Sequence, residues 1–150
     1  MAVDTCVFCR IIRGDLPASA VYEDATVLAF MDINPVNPGH VLVVPKAHLA
    51  NLADMAEATG EHLFTIAMRM AYALRRSDIC CDAVNLFLAD GAEAGQEVLH
   101  VHLHVIPRFR GDAFKIEADW SAPPPRQEID DCADRLRRAY DTAGLPMQDG

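Results

Sequence analysis

The sequence predicts an α+β fold, an antiparallel sheet of about five strands with a packed helix and an extra C-terminal helix. Three observations predict it. Short apolar runs bounded by turn residues recur at 21–33, 40–46, 83–90 and 100–108. Leu63, Ala67, Met70 and Leu74 recur at helical spacing between Gly60 and Arg76. The stretch "SAPPPR" at 121–126 then breaks the chain before a last amphipathic segment, 127–143.

In chain order, "VYEDATVLAFMDI" at 21–33 reads as two strands around a turn at 23–25. "NPVNPG" breaks regular structure, and "HVLVVPK" at 40–46 forms the next strand. The helix 60–76 leads to a strand at 83–90, the loop "GAEAGQE", and a final strand at 100–108. In the last helix Ile129, Cys132, Leu136 and Tyr140 share one face, which is expected to lie buried on the body. The expected organisation is one domain over 1–120, with loop and helix 121–150 packed on it.

A length of 150 residues suffices to bury a core, and a net charge of −9 repels polyanions, so a nucleic-acid polymer is not an expected partner. A small anionic ligand stays compatible if the site supplies local donors. The start "MAVDTCVFCRII" lacks a basic stretch leading into an apolar run, so no export leader is expected and the expected setting is the reducing cytoplasm. No apolar run is long enough to span a bilayer, so no membrane partner is expected. The close pair Cys6 and Cys9, among five cysteines, points to metal or redox chemistry, with two ordinary buried thiols as the other reading.

Three of the six histidines fall on alternate positions of "HVHLHVIPR", residues 100–108. On a strand His100, His102 and His104 share one face while Val101, Leu103 and Val105 share the other. The aliphatic face suits the core, and the imidazole face needs polar partners. Residue chemistry leaves three readings open: a hydrogen-bonded structural face, a metal site, or nucleophilic catalysis by a neutral imidazole.

"HVHLHVIPR" resembles the His-φ-His-φ-His-φ-φ motif of the histidine triad (HIT) family of nucleotide hydrolases and transferases, where φ is apolar. The likeness extends through "CVFCRIIRGDLP" at 6–17, "YEDATVLAFMDI" at 22–33, "NPVNPGHVLVVPKAH" at 34–48 and "AGQEV" at 94–98, in family order over roughly 5–110. The resemblance implies a HIT-like fold and a purine nucleotide substrate such as an AMP derivative. It implies His102 as the nucleophile that forms a nucleotidyl-imidazole intermediate, His104 as a phosphate-binding residue, and His100 and His40 as orienting or proton-relaying partners. Asp32 falls at the ribose-binding carboxylate, and Phe8, Ile11, Leu16, Phe30, Ile33 and Leu42 at positions that sandwich base and ribose. Gln96, Glu97 and Val98, with Gly95, fall at the phosphate loop.

A subset of the family also implies a structural zinc held by Cys6, Cys9, His48 and His100, matching a closed Cys₂His₂ set. No organic cofactor is expected, and a homodimer is. Two positions depart from the pattern. Glu97 stands where some relatives have serine, and its carboxylate cannot donate a hydrogen bond. Ala89 stands where some have asparagine. The expected activity is cleavage of a nucleoside 5′-monophosphate from a phosphoramidate or ester leaving group. A diadenosine polyphosphate hydrolase, a non-catalytic nucleotide- or zinc-binding module and a zinc hydrolase are the alternatives.

Overall fold

Alternation along the central strands gives the sheet two apolar faces, and each acquires its own cover. The computed structural model describes residues 4–143. Strands β1 (Ala20–Glu23), β2 (Val27–Met31), β3 (Val41–Pro45), β4 (Ala83–Leu88) and β5 (Leu103–Arg108) form one sheet in the order β1-β2-β3-β5-β4, with all neighbours antiparallel. Val27, Ala29, Val41, Val43, Leu103 and Val105 pack with Leu63, Ile66, Ala67, Met70 and Leu74 of α2 (Glu57–Arg76). Leu28, Phe30, Leu42 and Val44 turn the other way, onto Cys6, Phe8 and Cys9 in and before α1 (Val7–Ile12). The uninterrupted apolar runs of β2 and β3 follow from this double burial.

Asp24 closes the β1–β2 turn by accepting the N–H groups of Thr26 and Val27, both at 2.8 Å. It also lies 2.6 Å from His62 Nε2, so that histidine ties the helix to the turn. The helix starts at Glu57, three residues before the expected Gly60, because its first turn carries no core residue to mark it. Helix α1 was not an expected element; its six residues are too few for a periodicity signal.

The histidine stretch is not strand throughout. β5 begins at Leu103, and the backbone of the preceding residues bonds elsewhere, Val101 N–H to Leu49 and His100 N–H to Val98. Val101 nonetheless stays in the helix-side core with Leu103 and Val105, so the alternation of faces persists through the run-in.

The chain divides into two compact units at Phe114/Lys115. The second contains α3 (Arg126–Thr142), along which Ile129, Cys132, Leu136 and Tyr140 recur as exposed residues. Charge pairs within the helix, Arg126–Asp130 at 2.8 Å and Arg137–Asp134 at 2.6 Å, suit a solvated helix. Among the described residues no helix is long and apolar enough to cross a membrane.

Gly39, just before β3, has φ +95°, and a Cβ there would sit 2.9 Å from Ile79, 3.0 Å from Leu74 and 3.3 Å from Pro107. Both backbone conformation and space therefore demand glycine. Gly39→Ala is expected to destabilise the protein by about 1–3 kcal/mol, read as a lowered urea midpoint with an unchanged slope.

Candidate functional site

β5 lies between β3 and β4, so its polar face sits mid-sheet; His104 is in register with Leu42 on one side and Phe87 on the other. His102 is buried, with its Nδ1 2.7 Å from the His100 carbonyl oxygen. A carbonyl only accepts, so Nδ1 carries the proton, and in the neutral ring Nε2 keeps its lone pair. Phe8 meets this ring edge-on at 5.2 Å between centroids, and His104 lies at 4.9 Å.

The same logic orders the neighbouring rings. His40 Nδ1 accepts the Val36 N–H at 3.2 Å, which leaves Nε2–H to donate to His104 Nδ1 at 2.9 Å. His104 then carries its own proton on Nε2. Asp32 approaches His40 Nδ1 at 3.4 Å through one carboxylate oxygen and accepts the Asn34 N–H at 2.8 Å through the other. Burial lowers the His40 pKa, with Asp32 opposing. His104 is held down to about 4 by burial, then by the adjacent His102 and His40. Both rings are neutral at neutral pH.

These groups border a cavity of about 400 Å³. One wall is apolar, with Phe8, Ile11, Phe30, Ile33, Leu42 and Val98; Asp32, His40, His102, His104, Gly95 and Glu97 supply the polar part. The loop before the histidines is set by Gly91 and Gly95, at φ +97° and +85°. Gln96 braces it, accepting the Gly91 N–H and donating to the Ala50 carbonyl, both at 2.8 Å. The N–H groups of Glu97 and Val98 meet no acceptor among the described residues.

Behind this wall is a second cluster. Cys6, Cys9, His48 and His100 place four donor atoms within 4.8 Å of one another, all but His48 fully buried. His100 donates Nε2–H to the Pro45 carbonyl at 2.8 Å, which turns its Nδ1 lone pair towards the thiols. Nδ1 lies 3.5 Å from Cys6 Sγ, 3.6 Å from Cys9 Sγ and 3.3 Å from His48 Nδ1; Cys9 and His48 are 3.3 Å apart. Tetrahedral coordination at zinc bond lengths separates two nitrogens by about 3.3 Å and nitrogen from sulfur by about 3.6 Å. The donor set fits such an ion. Burial and the neighbouring Cys6 push the Cys9 thiol up to about 11, so a thiolate here calls for a compensating cation. Burial likewise lowers the His100 pKa and keeps its ring neutral, the form that ligates metal.

A second triple, Asp32, His40 and His104, also converges. Its 2.9 Å nitrogen separation is that of a hydrogen bond and shorter than tetrahedral ligands stand apart.

Of the residues expected at the site, Leu16 does not border the cavity, and the Gln96 side chain is committed to its own loop. Ala89 is buried outside it. Phe87 was not anticipated: it lines the cavity from β4, its ring 5.8 Å from that of His104. Only the register of β4 against β5 puts it there, and sequence alone does not give strand order. Val7, Pro17, Ala18, Met31, Asn34 and Val36 complete the lining.

The model of the HIT domain matches residues 13–111. An uncharacterized HIT-like protein of Borreliella burgdorferi is 46% identical over 110 residues, 73% of this chain and 79% of that protein. The adenylylsulfatase HINT3 of Arabidopsis thaliana is 36% identical, over 73% of this chain and 55% of its own length. The crystal structure of a zinc-bound histidine triad family protein from Mycobacterium smegmatis superposes with a TM-score of 0.73 at 37% identity, covering 95% of this chain and 99% of that one. With the domain matched over most of the sheet and the three alternating histidines lining one side of it, the chain belongs to the HIT family.

Proposed function

We propose that this protein is a hydrolase or transferase that releases a purine nucleoside 5′-monophosphate such as AMP from a phosphoramidate or ester, through a nucleotidyl intermediate on His102. The observation that carries this reading is the His102 Nδ1–H bond to the His100 carbonyl, which leaves the Nε2 lone pair beside a cavity of nucleotide size. Nε2 attacks phosphorus, a P–N bond to imidazole forms, and the bond to the leaving group breaks; the leaving group keeps the electron pair and takes a proton. Water then attacks the same phosphorus and returns the ring. His104 donates Nε2–H to a phosphoryl oxygen, held at its other nitrogen by His40. The Glu97 and Val98 N–H groups add donors, and Gln96 acts by bracing their loop. Asp32 accepts the ribose hydroxyls, and Phe8, Ile11, Phe30, Ile33 and Leu42 enclose base and ribose, with Leu16 supporting from outside the cavity.

Among the described residues no lysine or arginine borders the cavity, which disfavours the diadenosine polyphosphate alternative, whose additional phosphates need cations. Against a non-catalytic module stands the oriented lone pair of His102, which binding alone does not require. Zinc belongs at Cys6, Cys9, His48 and His100, where it would cross-link α1 to the segments that follow β3 and precede β5. A set of four protein ligands leaves no open position, so the role is structural. Ligand thiolates need a reducing medium, which supports a cytoplasmic setting. The expected homodimer is supported by β4, an edge strand with Leu86 and Phe87 exposed.

Adenosine phosphoramidate is expected to yield AMP, with rapid quenching and mass spectrometry showing one adenylyl group on His102. His102→Ala should lower kcat on the order of 10³-fold or more while AMP still binds; wild-type turnover in this variant refutes the mechanism. Chelation should release one zinc per chain and lower Tm on the order of 10 °C before activity is lost at temperatures where the protein stays folded. Immediate loss of activity without destabilisation would favour a zinc hydrolase.

Because His104 resists protonation in the folded state but not in the unfolded one, the unfolded state binds the extra proton as pH falls from 6.5 to about 4. Stability should therefore drop through this window, and Tm measured against pH should drop less steeply in His104→Gln.

A further inference from the structure

The cavity carries a charge pattern that phosphoryl transfer by itself does not explain. Its lining includes two acidic residues, Asp32 and Glu97, and among the described residues no lysine or arginine. Asp32 accepts the Asn34 N–H. Glu97 is exposed and has no hydrogen-bond or ion-pair partner among the described residues. Nor is it an acid on a loose loop: the preceding Gln96 is buried and bonded at both ends of its amide, and Gly95 fixes the turn.

The path of the reaction gives this carboxylate a meaning. Displacement in line with a buried His102 sends the leaving group away from that ring and into the rest of the cavity, whose lining includes the exposed Glu97. An unpaired carboxylate there repels a departing sulfate, phosphate or carboxylate and attracts an ammonium group. With no arginine or lysine in the wall to offset it, its sign decides the preference.

We propose that Glu97 is a specificity-determining residue that selects nucleotidyl amidates whose leaving group carries a second, protonated amine, and rejects anionic leaving groups. The inference rests on the nucleotide-hydrolase reading. In the favoured reaction the P–N bond breaks, its electron pair stays with the departing amine, that nitrogen takes a proton, and the oxygen of water ends on phosphorus.

The test compares kcat/KM for adenosine 5′-phosphoramidates of three size-matched amines: 1,4-diaminobutane, cationic at its free end, butylamine, neutral, and 4-aminobutanoate, anionic. Wild type should rank them cationic, neutral, anionic, with steps on the order of tenfold that shrink as salt is raised. Glu97→Gln should compress the ratio of cationic to anionic substrate to about threefold or less, and Glu97→Lys should invert it. The ratio is the readout, so a uniform rate loss in either variant does not mimic the effect. A wild-type ratio that survives unchanged in Glu97→Gln, or that is absent from wild type, overturns the role of Glu97 while leaving the hydrolase intact. If wild type releases no AMP from any of the three, the hydrolase reading fails and this inference falls with it.

Discussion

One hydrogen bond, from the His102 ring to the carbonyl of the residue two positions earlier, sets the chemical character of the cavity. An imidazole is useful as a nucleophile only if a known nitrogen keeps its lone pair and that nitrogen faces the substrate. The 2.7 Å contact fixes the first condition, and the edge of Phe8 with the flank of His104 constrains the second. A second chain of donors, from the Val36 N–H through His40 to His104, runs alongside and is equally directional. Five ring nitrogens on four histidines thus have assigned proton positions from contacts with carbonyls, amides and one another, with no charged group required.

The fold supplies this order by burying one histidine-bearing segment at the middle of a sheet. Strand β5 is enclosed by β3 and β4, its aliphatic face lies under α2, and its imidazole face is reached from the α1 side. Low exposure does two things at once. It holds His40, His100 and His104 neutral, and it keeps the thiol of Cys9 from ionising without a counter-charge. The apolar shell and the polar chemistry are therefore the same design seen from two sides.

Much of this was legible in the residues. Strand positions followed from short apolar runs, and α2 from Leu63, Ala67, Met70 and Leu74. The partition of the histidine stretch into a core face and a polar face held even where the strand itself is missing, because Val101 packs with the core whatever its backbone pairs with. Strand order was not legible: β5 inserts between β3 and β4, and this alone brings Phe87 to the cavity. Gln96 shows another limit, since sequence position near a site does not say whether an amide turns outward or braces its own loop. Helix α3 was legible from the spacing of Ile129, Cys132, Leu136 and Tyr140, and its intrahelical charge pairs add to its stability.

His100 joins the two centres through different parts of itself. The ring contributes to the cysteine cluster, whereas the nucleophile is oriented by the main chain. Any amino acid has that carbonyl. Descendants of this protein are thus free to abandon the metal by mutating position 100 without forfeiting the tautomer of His102, provided the chain keeps its path there, so loss of the ion and loss of catalysis are separable events in evolution.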